Sequence, residues 1–420
     1  MKLKLLSAVL LTALAVVLAP AVAARTWYVN GVTGSNSNDC MSPTTACKTI
    51  GHAISLAASG DFIMVAAAIY SENLTINIDL TINGSGAGKT IVDGSGAGRV
   101  ITIPASQVHV SLSKLTIRNG LAGFGGGISN SGTLTINQCV ITNNIANNST
   151  ANGGGINNGG TMTINRSTIA NNQAKGTNGS SGGGIYNLGT LTLNNSTVLQ
   201  NQCFVISGGG GIFNSGTAVV NNSTITANSA GVGGGVVNRG TITISSSTIN
   251  GNSGSVGGNI SNTGTAAVQN SIVANSVSGG NCHLPVTSKG YNLSSDSSCT
   301  FNSVGDMDNT DPLLGILGFN GGPTKTLPLL SGSPAIDSGN PNGCTNNNGV
   351  LLKTDQRGKP RPDTEDIGGC DIGAYEFQSA PSCTPFRGTC GPGLPKCCPA
   401  PFPHHSICSS QTGFGTCLII

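Results

Sequence analysis

The sequence predicts an all-β fold, a solenoid of stacked coils, and three observations predict it. Between residues 125 and 276 one pattern is written six times. Each copy opens on a glycine run and an aliphatic anchor, Ile128, Ile156, Ile185, Ile212, Val236 or Ile260, and the anchors lie 28, 29, 27, 24 and 24 residues apart. A period in the twenties, built from short alternating strands without helical periodicity, is the mark of a solenoid. Each copy also holds too few apolar residues to bury a core alone, so the copies must stack.

Within a copy the elements follow in fixed order. Two residues after the anchor stands Asn130, Asn158, Asn187, Asn214, Asn238 or Asn262, followed by any residue and Gly-Thr. A strand of alternating pattern comes next, Thr133-Leu134-Thr135-Ile136 in the first copy. Leu134, Met162, Leu191, Ala218, Ile242 and Ala266 share one register, and Ile136, Ile164, Leu193, Val220, Ile244 and Val268 share another. Period-2 alternation sends both sets inward, as ladders of parallel strands ~4.8 Å apart. Ile141, Ile169, Val198, Ile225 and Ile249 supply a further inward ladder. Each copy closes on Asn144, Asn172, Asn201, Asn228, Asn252 or Asn275. These Asn residues are expected at corners, in left-handed backbone and hydrogen-bonded to one another along the axis.

On these residues the stretch resembles the right-handed parallel β-helices of the pectin-lyase-like superfamily. The resemblance implies a right-handed coil and an N-terminal capping helix, which the residues ahead of the repeat can supply. Residues 1–24 read as a secretory signal peptide, with Lys2 and Lys4, an apolar run from Leu5 to Leu18 and Ala21-Val22-Ala23 before a cut. Residues 25–120 read as a cap and first irregular coils: strands at Trp27-Tyr28-Val29 and Phe62-Ile63-Met64-Val65 flank helical spacing from Lys48 to Ser59. A cap is needed because an open solenoid end exposes strand edges. Regular repeats fill residues 121–280, and their length varies at one corner only, at 145–152, 173–181, 202–208, 229–232 and 253–256. Loops gathered on one face are often the binding face.

Residues 281–378 carry Gly290-Tyr291-Asn292-Leu293, Asp311-Pro312-Leu313-Leu314, Gly332-Ser333-Pro334-Ala335-Ile336-Asp337 and Asp371-Ile372-Gly373-Ala374-Tyr375-Glu376. This series resembles the choice-of-anchor type Q segment, which implies a surface or secreted context and closes the helix. Residues 379–420 hold six Cys (Cys383, Cys390, Cys397, Cys398, Cys408 and Cys417) among Gly and Pro, and resemble a small disulfide-rich, knottin-like module. Their pairing stays open, since six Cys allow 15 connectivities. Cys40 and Cys47 can close a small loop, and Cys282, Cys299, Cys344 and Cys370 are further disulfide candidates. Cys139 and Cys203 lie about two coils apart, too far to bond.

The 14 Cys fit an oxidising compartment, so a secreted or cell-surface protein is expected. A formal charge of +3 with 8% charged residues implies no nucleic-acid partner. No stretch after the leader is long enough to span a membrane, and a monomer is expected. No Asp or Glu lies between Asp93 and Asp296, a gap of 202 residues covering every regular copy. Polysaccharide hydrolases need paired acids, and calcium-dependent lyases need acidic oxygen ligands. The wall of the repeats therefore carries no carboxylate site. Arg166, Lys175 and Arg239 are scattered along it, and with Phe204 in a variable loop they are the candidate binding residues. Arg118 sits at a strand end suited to a structural role. Asp306, Asp308 and Asp311 are the one set that could ligate Ca²⁺, although the spacing completes no known calcium loop and turn capping explains it as well. No cofactor is otherwise implied. Asp355 and Arg357 are expected to pair with each other or with Asp371 and Glu376.

Three functions follow. The leading one is a non-catalytic, exported, adhesin-like platform or stalk whose partner is a polysaccharide or another cell-surface component. The second is a polysaccharide lyase on uronic-acid polymers, needing a groove where Arg166, Lys175 or Arg239 meets a Tyr or His. The third is ice binding: outward Thr pairs 133/135, 161/163, 190/192 and 241/243 form ranks resembling the Thr-x-Thr faces of β-solenoid ice-binding proteins. Thr217 and Thr265 continue the array singly. Ordinary β propensity of Thr is the stronger account of these ranks, and a flat, loop-free face is needed to favour ice binding over it.

Overall fold

A computed structural model describes residues 23–204, 208–363 and 369–378, and the backbone of three short strands, Thr389–Cys390, Ser406–Cys408 and Gly415–Ile419. The leader expected at 1–24 lies almost wholly outside the described residues, and so do the side chains of Cys383, Cys390, Cys397, Cys398, Cys408 and Cys417. The chain forms a right-handed parallel β-helix with three long sheets. Right-handed crossovers are nearly universal where parallel strands follow one another.

Sheet I has eleven strands, running from Thr26–Val29 through Thr133–Asn137, Thr161–Asn165, Thr190–Asn194, Thr217–Asn221, Thr241–Ser245 and Thr265–Gln269 to Thr287–Ser288. Sheet II has ten and includes Val140–Thr142, Thr168–Ala170, Thr197–Leu199, Thr224–Thr226, Thr248–Asn250 and Ile272–Ala274. Sheet III has nine and includes Ile128–Asn130, Ile156–Asn158, Ile185–Asn187, Ile212–Asn214, Val236–Asn238 and Ile260–Asn262. Every inward residue named from the pattern is buried, and each such aliphatic chain contributes roughly 1.5–3 kcal/mol over an exposed one.

The variable corner is partly regular. Its first two residues pair into a four-stranded sheet IV, Leu121–Ala122, Ile145–Ala146, Gln173–Ala174 and Gln202–Cys203, before the loops diverge. At the N-terminal end the helix spans Ile50–Leu56, shorter than the helical spacing from Lys48 to Ser59. Thr49 caps it, and the Glu72 carboxylate accepts from Ile50 N and Gly51 N at 2.8 and 2.7 Å. Negative charge at a helix N-terminus satisfies donors that have no partner inside the helix. Ile50 and Ala53 join the solenoid core.

Two asparagine ladders run through the interior. Asn130, Asn158, Asn187, Asn214, Asn238 and Asn262 pass one amide hydrogen bond from coil to coil at 2.7–2.8 Å. Asn144, Asn172, Asn201, Asn228, Asn252, Asn259 and Asn281 form the second. Two sequence expectations are corrected here. The left-handed residue of that corner is the one before each ladder Asn (Asn143, Asn171, Gln200, Ala227, Gly251), which frees the Asn side chain to point inward. Asn275 is itself such a left-handed residue, with φ of 54°, so the ladder passes through Asn259 instead. A serine row, Ser167, Ser196, Ser223, Ser247 and Ser271, lines the other corner, each hydroxyl accepting the backbone N–H of the coil before. Cys139 begins that row. It is buried, its thiol is pushed up to about 12 by desolvation, and it forms no disulfide with Cys203.

Residues 311–363 and 369–378 return along the outside of sheet II. Gln356 Nε2 donates to Thr197 Oγ1, Thr224 Oγ1 donates to Gln356 Oε1, and Ala374 N donates to Thr248 Oγ1. Outward Thr197, Thr224 and Thr248 are consequently buried, whereas Val140 and Thr168 in earlier coils are half-exposed. A second core forms under this segment from Ile272, Ala274, Leu293, Leu329, Ala335 and Ile372. Disulfides join Cys40 to Cys47, Cys282 to Cys299 and Cys344 to Cys370.

Candidate functional site

What a solenoid can bind is set by which outer faces remain open. Sheet II is occupied from Thr197 onward by the returning segment, so any site there would be internal. Its buried charges are spent on that packing. Asp355 Oδ2 accepts from Arg357 Nε, and Glu376 Oε2 from Arg361 Nε, both at 2.7 Å. The Arg357 guanidinium lies 3.5 Å from the centroid of the Tyr375 ring. Burial, and then the neighbouring Glu376 carboxylate, push Asp371 up to about 7, and burial raises Glu376 as well despite Arg361 beside it. Arg361 also donates to Asn222 Oδ1 at 2.9 Å, which ties this cluster to the wall.

The four candidate binding residues occupy three places. Lys175 Nζ lies 5.7 Å over the ring of Phe204, a residue 53% exposed, and both belong to the variable corner. Arg239 lies 5.0 Å over Phe213, and Phe213 stacks on Tyr186 with centroids 5.3 Å apart. Register explains this second group: Tyr186 and Phe213 are consecutive outward residues of sheet III, and Arg239 follows the next strand. Sequence reasoning missed Tyr186 and Phe213, although their shared position directly after the aliphatic anchor, three residues before the copy's Gly, was legible. Arg166 stands apart, in the left-handed position between sheets I and II, where with Asn137, Gln138, Asn165 and Asn195 it lines a shallow depression of about 390 Å³. Three strand steps separate its coil from that of Arg239, about 14 Å along the axis.

Arg239 therefore meets a Tyr only across a Phe ring, and burial raises the Tyr186 phenol above its ordinary range. A phenol shifted that way is a poorer proton acceptor at neutral pH. Arg118 pairs with Asp93 at 2.7 Å, a structural bond between adjacent coils. One pair was not legible beforehand: His109 and Asp79, 3.3 Å apart and both exposed, border a depression of about 340 Å³ shared with Ser111, Thr133 and Thr135. Its signal is the pairing of neighbouring coils, which brings residues thirty positions apart side by side.

Asp306, Asp308 and Asp311 do not form a cluster of converging carboxylates; among the described residues the one such group of potential ligands is Cys40, Cys47 and His52, and its two Cys are bonded to each other. Asp306 accepts from Ser288 Oγ, Ser303 N and Asn292 N, which uses its carboxylate to fold its own turn. Asp311 caps Leu313 N, and burial raises Asp308.

No protein-family profile matches the chain, and no curated protein matches it. Among solved structures the chain is similar to pectate lyase Pel9A, with a TM-score of 0.48 and 13% identity, covering 85% of this chain and 97% of that one. It is also similar to a lacto-N-biosidase from Eubacterium ramulus (TM-score 0.37, 11% identity, 64% and 62% covered). A pectin methylesterase mutant in complex with a hexasaccharide gives a TM-score of 0.31 at 13% identity, with 65% and 80% covered. These are likenesses of the coiled backbone.

Proposed function

We propose that the chain is an exported, non-catalytic glycan-binding protein, its β-helix a stiff platform and its C-terminal regions the means of attachment. One observation carries the reading. The variable corner presents Lys175 against the exposed ring of Phe204, on a wall with no carboxylate from residue 94 to 295, whereas in the Arg239–Phe213–Tyr186 stack of sheet III the Phe213 ring is buried. A ring face with hydrogen-bond donors beside it can hold a sugar, whereas hydrolysis needs a proton donor and a base. Three disulfides fit an oxidising compartment. Binding needs no Ca²⁺ in this reading, because Asp306 is already spent.

The test is retention of the purified protein on immobilised polysaccharides, with the supernatant assayed for new unsaturated or reducing ends. Retention without products, weakened at least several-fold by Phe204→Ala and Lys175→Ala, is the expected result. Release of products, or retention indifferent to both substitutions, overturns it.

A further inference from the structure

Sheet I differs from the other faces in what it shows to solvent. Its strands pair in strict register, so outward residues stand in straight ranks: Thr133, Thr161, Thr190, Thr217, Thr241 and Thr265 in one, and Thr135, Thr163, Thr192, Val219, Thr243 and Ala267 in the next. The first rank is Thr in six of six coils, and all of its members are exposed or half-exposed. The other faces serve as internal controls for β propensity. At the central outward position of sheet III the same six coils carry Ser129, Asn157, Tyr186, Phe213, Val237 and Ser261. The first outward position of sheet II carries Val140, Thr168, Thr197, Thr224, Thr248 and Ile272. The later members of both series are buried, but at half-exposed positions Tyr186 and Val140 stand where Thr does not, and propensity alone would let such residues into the first rank of sheet I too.

The first two ranks carry no charge from Thr133 to Ala267, and the charged groups stand at the borders: His109 and Asp79 beyond Thr133, Arg166 and Arg239 at the corners. Two residues join sheet III to sheet I in every regular coil, and two join sheet I to sheet II, so the repeat itself raises no loop at either edge. The returning segment runs over sheet II and the corner beside it, meeting Asn195, Asn222 and Gln269, and leaves the first two ranks of sheet I exposed or half-exposed. No ionisable side chain points outward from the strands between Thr133 and Gln269. A third rank, Asn137, Asn165, Asn194 and Asn221, is tied side chain to side chain at 2.9–3.1 Å, which fixes that edge. The result is a stiff array of hydroxyls and methyls spaced ~4.8 Å along the axis and about 6.6 Å across it, some 24 Å long.

We propose that this face binds ice. Water held by hydroxyls at one fixed spacing, with methyl groups between them, is ordered in two dimensions, and a rigid uncharged surface does not disturb that order. Such a layer merges with a growing ice plane of matching repeat. Neither the aromatic–cation groups nor any glycan contact takes part, so the two readings stand or fall separately.

The experiment measures thermal hysteresis and ice recrystallisation with the purified protein, and its adsorption to a single ice hemisphere. Thr190→Lys places a charged chain in the middle of the first rank at an exposed position, and Asn178→Lys places one on the variable corner. Hysteresis and adsorption in the wild type and in Asn178→Lys, falling to the buffer value in Thr190→Lys with an unchanged circular dichroism melt, are expected. Wild-type protein that leaves ice growth as in buffer overturns the proposal, and so does Thr190→Lys with full activity.

Discussion

Replacing Asn201 by alanine tests whether the inner ladder holds the coils together. Its side chain is fully buried and makes four hydrogen bonds. The amide nitrogen donates to Ile169 O and Asn228 Oδ1, each at 2.9 Å, and the oxygen accepts from Asn172 N and Nδ2 at 3.0 and 2.9 Å. Alanine leaves the buried Asn172 N–H without its acceptor and the Ile169 carbonyl without this donor. At about 1–3 kcal/mol per stranded group the substitution costs about 2–6 kcal/mol. Asn165→Ala is the comparison, because its amide row lies half-exposed and water can replace what is lost, for about 0.5–1.5 kcal/mol. Urea unfolding followed by circular dichroism reads both, taking midpoint shifts at equal slope. Asn201→Asp sharpens the test: a carboxylate cannot donate to Ile169 O or Asn228 Oδ1, so its folded pKa must rise and its penalty must grow as the pH climbs above ~3.9. Equal costs for Asn201→Ala and Asn165→Ala would refute the idea that buried amide continuity stabilises the solenoid.

Further expectations concern the returning segment and the two binding readings. Asp371, at about 7 in the folded state, binds more protons there than in the unfolded chain, so its contribution is most favourable below about pH 4 and is lost as pH rises through 7. The melting temperature should therefore fall between pH 5 and 8, and Asp371→Asn should flatten that slope; a slope unchanged in the variant counts against it. Replacing Cys344 and Cys370 by serine opens a closed loop of sequence separation 26 and should cost about 3 kcal/mol, seen as proteolysis within 331–363 before the coils are cut. Cleavage of both regions at equal rates would show that the segment and the coils unfold together. Polysaccharide retention should depend on Phe204 and Lys175, and ice adsorption on Thr190, with the Phe204 and Lys175 variants leaving ice adsorption unchanged and Thr190→Lys leaving retention unchanged.

The sequence by itself determined the coil. Its period, its alternation and its recurrent Asn and Gly are local signals repeated six times, and parallel stacking in register is the one arrangement that buries all the inward ladders at once. The absence of acid from residue 94 to 295 was equally plain, and it settled in advance that this wall carries no carboxylate pair. The identity of the left-handed corner residue was not legible, because two adjacent Asn often compete for it and only the inward hydrogen bonds choose between them. Tertiary structure alone decided which faces stay open. The contacts that lay residues 311–363 and 369–378 over sheet II join positions as far apart as Thr197 and Gln356, a separation of 159, and no local pattern encodes such a pairing. That packing closes one face and leaves the threonine ranks of sheet I bare, because burial on one side of a solenoid is decided by the surface complementarity of distant segments and not by the repeat that builds the wall.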